Sequence, residues 1–236
     1  MKKSRKKQKN ITINIYKYFS IVLLIIVLFL GVLYKVNGQN NYEKSNNSKK
    51  EIINPNVVFL GDSITDYYDL DKYYPDLKKV NSGIAGHRTW DIKKDMYNRV
   101  YRYNPSKVIL LIGINNFVHE KSSVDSVVDD IKDITKDINK ELPNTEIIIQ
   151  SIYPINDDLT KNKESDYPSS SELTKKIIDS NDQIKKYCHD KNYKYVDLFK
   201  ELSDDNCKLK RKYSDDGIHP NEKGYDKITE TLKKYL

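Results

Sequence analysis

The chain has 236 residues, enough for one domain with a sizeable core and an appendage. Its formal net charge is +7, but residues 1–36 contain eight lysines and arginines and no acidic residue. The rest of the chain carries 33 basic and 34 acidic side chains, so its body is close to neutral. A protein that follows nucleic-acid phosphates needs its basic excess on the folded part, and this distribution therefore argues against nucleic acid as a partner.

An uncharged apolar run, residues 18–34, lies between Lys17 and Lys35. Together with its flanking residues it is long enough to cross a bilayer, and the basic cluster before it is expected to stay in the cytoplasm. A cleaved signal peptide is the alternative, but the apolar core is long and no Ala-x-Ala pattern follows it. We predict a basic cytoplasmic arm (1–17), a single-pass transmembrane anchor (18–36), a polar flexible linker (37–54) and an extracytoplasmic domain (55–236).

From residue 55 onward, short apolar runs alternate with amphipathic stretches. This alternation predicts an α/β fold with a parallel sheet that helices cover on both faces. The predicted strands are 57–60, 79–81, 107–112, 146–153 and 195–199. The predicted helices are 122–142, 172–190 and 222–236, and a long polar loop is predicted over 156–171.

The chain has two cysteines, Cys188 and Cys207, which are too few for a disulfide scaffold. One disulfide between them and two free thiols are both compatible with the sequence. Neither a Cys-x-x-Cys nor a His-x-x-x-His pair is present. The sequence therefore predicts neither a metal site nor a cofactor.

Small polar residues follow the predicted strands, where the open sheets of α/β proteins bind their ligands. The first such segment is Gly61-Asp62-Ser63, directly after the first strand. A nucleophilic hydroxyl needs a general base and a group that orients this base. We therefore predict Ser63 as the nucleophile, His219 as the base and Asp216 as its orienting carboxylate, with Asp215 as the second choice for that role.

An ester-cleaving site also needs donors for the oxyanion of the tetrahedral intermediate. The backbone N–H groups of Ser63 and Gly86 and the side-chain amide of Asn115 are the predicted donors. Glycine at position 86 leaves room for close approach to the substrate. Four further residues lie close to these segments in the sequence and are candidates for the substrate pocket: Asp62, Tyr67, His87 and Trp90.

Four segments occur in a fixed order: Gly61-Asp62-Ser63-Ile64, Asn81-Ser82-Gly83-Ile84-Ala85-Gly86, Gly113-Ile114-Asn115-Asn116 and Asp216-Gly217-Ile218-His219-Pro220. In this order they resemble the four motif blocks of the SGNH hydrolases, also called the GDSL esterase/lipase family. The resemblance covers residues 55–236. It implies a three-layer, flavodoxin-like fold with five parallel strands, carboxylester hydrolysis and no metal. Asn116 departs from the pattern, because the third block more often has Asp there, and this departure puts the loop packing in question.

The sequence thus predicts a membrane-anchored, extracytoplasmic serine esterase that acts through an acyl-enzyme. Surface glycans that carry acetyl or short acyl groups are the leading substrates. The alternatives are a lysophospholipase or short-chain lipase, an acyltransferase to sugars, and a catalytically silent module with the same fold.

Overall fold

The computed structural model describes residues 55–159 and 170–236. The predicted arm, anchor and linker lie outside these ranges, as does most of the loop predicted over 156–171. Among the helices of the two ranges, none combines the length and the apolar character that a membrane crossing requires.

Five parallel strands form the sheet, in the spatial order β2-β1-β3-β4-β5. This order is that of flavodoxin-like doubly wound sheets. The α/β class and the five-stranded parallel sheet predicted from the sequence are thereby confirmed. The strands are β1 (Val57–Gly61), β2 (Lys79–Gly83), β3 (Lys107–Leu111), β4 (Glu146–Gln150) and β5 (Lys194–Val196).

Helices connect the strands and pack on the sheet. The three long helices are those predicted from periodicity, whereas the short ones were not predicted. In chain order, the α-helices of the described ranges are α1 (Ser63–Asp66), α2 (Leu70–Tyr73), α3 (Thr89–Lys94), α4 (Met96–Arg99), α5 (Ile114–Glu120), α6 (Val124–Glu141), α7 (Ser170–Lys191), α8 (Leu198–Leu202) and α9 (Glu222–Leu232).

Two hydrophobic cores lie on opposite faces of the sheet, which makes the fold three-layered. Side chains of a strand alternate between faces, and β1 shows this directly. Val58 and Leu60 enter the core that contains α6 and α7, and Val57 and Phe59 enter the core that contains α9. Because both faces of β1, β3 and β4 are buried, these three strands read as nearly continuous apolar runs in the sequence.

The fifth predicted strand, 195–199, is wrong at its end. β5 stops at Val196, and Asp197 instead caps α8 by accepting a hydrogen bond from the backbone N–H of Lys200 at 3.1 Å. A capping aspartate accepts a hydrogen bond from a backbone N–H in the first turn of the helix. In a continuing strand, that N–H would pair with a neighbouring strand instead. The apolar residues Leu198 and Phe199 therefore belong to a helix.

Candidate active site

The segment after β1 places Ser63 at the carboxyl end of the sheet, as the first residue of α1. Asp62 caps this helix, and its Oδ1 accepts the backbone N–H of Ile64 at 3.0 Å. From α9, the Tyr225 hydroxyl donates to the carbonyl of Ile64 at 2.8 Å. These contacts fix the short turn that presents the serine.

The loop before α9 carries the predicted base. Its turn depends on Gly217, which has a φ of +86°, and a Cβ there would lie 2.0 Å from the carbonyl oxygen of Asn156. Glycine is therefore required both by conformation and by space. The turn lets Oδ1 of Asp216 accept the backbone N–H groups of Ile218 and His219, both at 2.8 Å.

The two segments, 156 positions apart in the chain, meet in one hydrogen-bonded chain of side chains. Ser63 Oγ lies 2.9 Å from His219 Nε2, and His219 Nδ1 lies 2.7 Å from Asp216 Oδ2. Burial raises the pKa of Asp216, but the hydrogen bonds from the His219 ring and the two backbone donors outweigh it and hold this pKa below its usual value. Asp215 faces elsewhere and accepts a hydrogen bond from the side chain of Asn221 at 3.2 Å.

Ser214 supports this loop and was missed in the sequence. Its buried hydroxyl accepts the backbone N–H of Gly217 at 2.9 Å and donates to the carbonyl of His219 at 2.7 Å. Serines are frequent in loops, so nothing in the sequence distinguishes this one. Its role becomes visible only when the turn is folded.

The predicted oxyanion donors come from three strand ends. Gly86 has a φ of +77°, and a Cβ there would meet no protein atom within 4 Å. Backbone conformation therefore selects glycine here, and the space beside it is open. Asn115, near the start of α5, donates one Nδ2 hydrogen to the carbonyl of His87 at 3.0 Å, which leaves its second hydrogen for an oxyanion. The joint role of these donors stays a prediction.

Asn116 stands where the third motif block more often has Asp, and this difference put the packing of the loop in question. Its buried Oδ1 accepts the Thr89 backbone N–H at 3.1 Å, and its Nδ2 donates to the Thr89 hydroxyl at 2.9 Å. The Thr89 hydroxyl in turn donates to the carboxylate of Asp130. An amide supplies the acceptor and the donor that this arrangement uses, so the packing is retained.

The predicted pocket residues have different surroundings. Tyr67 is 57% exposed, and its ring centroid lies 5.3 Å from that of His219. His87 is half-buried. Trp90 lies under the guanidinium of Arg88, and its ring centroid is 4.9 Å from Cζ of Arg88. Of these three residues, Tyr67 lies beside the ring of His219, and His87 accepts the side-chain amide of Asn115 with its backbone carbonyl.

Asp62 is different, because only 1% of it is exposed. Its Oδ2 is buried without a hydrogen-bond partner, and burial raises its pKa to about 7. The carboxyl borders a cavity of about 10 Å³ that is otherwise apolar, which is room for about one water molecule. The geometry therefore does not support the predicted contact of Asp62 with substrate.

The structure also shows the surroundings of two other histidines and of the two cysteines. His119 and His189 are exposed, and Cys188 and Cys207 are both free thiols.

Arg99 is buried at the end of α4 and was missed in the sequence. It shares helical spacing with the apolar residues Ile92 and Met96, and this position on an apolar face was a usable signal.

Comparisons with known proteins agree with this geometry. The model of the "GDSL-like Lipase/Acylhydrolase family" matches residues 59–227. No curated protein sequence matches the chain. Among solved structures, a protein from Streptococcus pneumonia described as a candidate platelet activating factor is 26% identical, with a TM-score of 0.71, over 90% of this chain and 98% of that one.

Two further structures share the fold at lower identity. A GDSL-like lipase from Bacteroides thetaiotaomicron is 18% identical, with a TM-score of 0.68, over 84% of this chain and 95% of that one. A mutant of Axe2, an acetyl-xylooligosaccharide esterase from Geobacillus stearmophilus, is also 18% identical, with a TM-score of 0.57, over 76% of this chain and 93% of that one. The family match over most of the chain, at the positions where the motif blocks lie, decides the identification. The chain belongs to the GDSL-like lipase/acylhydrolase family and is an ester hydrolase.

Proposed function

We propose that this protein is a membrane-anchored, extracytoplasmic serine carboxylesterase that removes acetyl or short acyl groups from surface glycans through an acyl-enzyme. The observation that carries the catalytic part is the contact of Ser63 Oγ with His219 Nε2 at 2.9 Å, backed by Asp216 at 2.7 Å from His219 Nδ1. A hydroxyl, an imidazole and a carboxylate in this order form an activated nucleophile.

In the first half of the reaction, Ser63 Oγ attacks the ester carbonyl while its proton passes to His219 Nε2. Asp216 stabilises the imidazolium and keeps Nδ1 protonated. The carbonyl oxygen becomes the oxyanion, toward which the N–H groups of Ser63, Gly86 and Asn115 donate. The intermediate then collapses, and the alcohol leaves with the proton from His219.

The second half repeats these steps with water. His219 takes a proton from a water molecule, and the resulting hydroxide attacks the acyl-enzyme. A second tetrahedral intermediate forms with its oxyanion in the same place. Its collapse returns the proton to Ser63 Oγ and releases the carboxylic acid.

One feature of the site supports a sugar-bearing substrate. The exposed ring of Tyr67 lies next to His219, where it can stack on a sugar ring. One of the structural neighbours is described as an acetyl-xylooligosaccharide esterase, and the proposed substrate belongs to the same chemical class.

A lipase is the second candidate function, and a specific observation favours it. Of the three large hydrophobic residues exposed in the described ranges, Tyr67 and Ile84 lie on the segments that carry Ser63 and Gly86. Such an apolar rim can also receive an acyl chain. The two candidates differ in the length of the acid that they release.

The deciding experiment uses the full chain, purified in a detergent without ester bonds. We expect it to hydrolyse p-nitrophenyl acetate faster than p-nitrophenyl decanoate and to release acetate from an O-acetylated cell-wall glycan. Ser63→Ala should lower kcat by about 10⁴-fold or more. Equal rates for both proteins would refute the proposed catalysis, and preferential release of long-chain acids from lysophospholipids would favour the lipase.

The location has a separate test. In cells that express the full chain, we expect the protein in the membrane fraction and its domain digested by protease added outside the cytoplasmic membrane. Protection of the domain in intact spheroplasts would contradict the proposed orientation.

A further inference from the structure

Arg99 is a buried cation whose hydrogen bonds all go to neutral groups. It is 2% exposed, and among the aspartates, glutamates, lysines and arginines of the described part of the chain only it and Asp62 are buried. No ion pair of Arg99 occurs among the described residues. Burying a guanidinium without a carboxylate partner is unfavourable, so the arrangement invites a functional explanation.

The three acceptors of Arg99 belong to the segments that carry the proposed oxyanion donors. Nη2 donates to the carbonyl of Gly61 at 2.7 Å and to the carbonyl of Ser82, and Nη1 donates to His87 Nδ1 at 3.1 Å. Gly61 ends the strand that leads to Ser63. Ser82 and His87 stand at the two ends of the loop that contains Gly86. One planar guanidinium therefore ties both ends of this loop to the strand of the nucleophile.

The other contacts of the loop are few. The backbone N–H of Ala85 donates to the carboxylate of Asp66 at 3.1 Å, and Asn115 Nδ2 donates to the carbonyl of His87 at 3.0 Å. Gly86 itself is exposed. The start of the loop is joined to β1 by strand pairing and by the hydrogen bond from the backbone N–H of Ile84 to the carbonyl of Gly61 at 3.2 Å. Without Arg99, this start would stay connected, whereas the far end of the loop, at His87, would lose its direct link to Gly61.

Arg99 also determines the protonation of His87. A guanidinium has only donors, so Nδ1 of His87 must accept and its ring is neutral, with the proton on Nε2. Burial and the positive charge of Arg99 both lower the pKa of His87, which agrees with the neutral form. A protonated ring would repel the guanidinium and release this end of the loop.

We propose that Arg99 is a positioning residue that holds the Gly86 loop, through Ser82 and His87, at the distance from Ser63 where the oxyanion forms. The inference rests on the proposed acyl-enzyme mechanism. Arg99 touches no reacting atom and acts through the backbone N–H of Gly86. A misplacement of a donor by about 1 Å can lower a rate about 100-fold, so a loosened loop should be visible in catalysis.

The test compares Arg99→Lys and Arg99→Gln with Arg102→Lys and Arg102→Gln in the full chain. Arg102 is exposed, three residues further along, and serves as the matched control. We expect the Arg99 variants to lower kcat for p-nitrophenyl acetate by about 10- to 100-fold, with KM within about threefold, and Lys to lose less than Gln because it keeps a charged donor. The Arg102 variants should stay within about twofold of the wild type.

The affinity for a boronic acid is a second measurement, and it would not change if Arg99 only stabilised the fold. Ser63 Oγ adds to boron, the proton passes to His219, and the resulting tetrahedral anion places an oxygen in the oxyanion site. We expect its affinity for the Arg99 variants to fall by the same factor as kcat. Wild-type kcat and boronate affinity in a folded Arg99 variant, or a kcat loss equal to the loss of folded protein, would overturn the inference.

His87 keeps the inference testable if the Arg99 variants do not fold. His87→Leu removes the acceptor, whereas His87→Asn provides an oxygen near the position of Nδ1. We expect the Asn variant to retain several-fold more kcat than the Leu variant, and equal kcat values would count against the role of Arg99. If the wild type is no more active than Ser63→Ala, the proposed function itself fails, whereas wild-type turnover with active Arg99 variants defeats only this inference.

Discussion

Two aspartates lie next to the residues of the proposed proton transfer, and their surroundings are opposite. Asp216 is partly exposed, with 55% of its side chain accessible, and it accepts hydrogen bonds from the His219 ring and two backbone N–H groups. Asp62 is buried and accepts one backbone N–H, and its second oxygen has no partner. The pKa of Asp216 is lowered and that of Asp62 is raised to about 7.

The difference shows what determines the charge of a carboxyl at this site. Donors stabilise the carboxylate, and burial without donors destabilises it. Two neighbouring asparagines differ less: Asn115 is 9% exposed, and Asn116 is completely buried. We therefore distinguish a front layer (Ser63, Asn115, Asp216 and His219) from a back layer (Asp62 and Asn116), and we expect front-layer variants to lose rate and back-layer variants to change stability.

The largest expected effect belongs to Asp216. Asp216→Asn keeps an oxygen for the backbone donors but removes the charge that orients His219 and stabilises its imidazolium. We expect kcat to fall by about 10⁴-fold while the free energy of unfolding changes little. Asp215→Asn is the control, and it should stay within about twofold of the wild type. A loss of similar size in both variants would show that the neighbouring carboxylates share the role.

Asp62 should reveal itself in the pH dependence of stability. The folded protein retains the Asp62 proton up to about pH 7, whereas the unfolded chain releases it near pH 4. The unfolded state therefore binds fewer protons between these values, and the free energy of unfolding falls as the pH rises through them, by about 4 kcal/mol. Urea titrations of the wild type and Asp62→Asn from pH 4 to pH 8 would measure this. Parallel curves for the two proteins would contradict it.

Asn115→Ala should lower kcat by about 10²- to 10³-fold, because it removes one oxyanion donor. KM should change little, since the donor acts on charge that develops in the transition state. Steady-state kinetics with p-nitrophenyl acetate distinguish this outcome from a loss in KM alone, which would assign Asn115 to substrate binding instead.

The smallest expected effect is that of Asn116→Asp. The change removes the donor to the Thr89 hydroxyl and places a carboxylate near Asp130, so we expect a loss of about 1–3 kcal/mol in the free energy of unfolding. Asp130→Asn in the same chain should recover part of this loss. Additive effects in a double-mutant cycle would show that the two carboxyl groups do not interact across Thr89.

Much of the fold was predictable, because burial on both faces of a sheet leaves a strong pattern in the sequence. The apolar runs around 57–60 and 107–112 became β1 and β3, and the periodic residues of 122–142 became α6. The short helices were not predicted, because four to seven residues contain too few turns to show periodicity. Asp197 ended β5 by capping a helix, and whether a polar residue caps or pairs is decided by its neighbours in space.

The sequence by itself determined the family, the order of the motif blocks and the chemical groups available for ester hydrolysis. Each block is local, because a strand end followed by Gly and small polar residues has its own turn chemistry. The tertiary structure alone decided that Ser63 and His219 meet at 2.9 Å, that Asp62 is buried while Asp216 is solvated, and that Arg99 and Ser214 brace the loops. The contacts of Ser63 with His219 and of Arg99 with Gly61 join residues far apart in the chain, and the fold brings them together at the carboxyl edge of the sheet. The contacts of Ser214 are local, but they form only once the turn at Gly217 is folded.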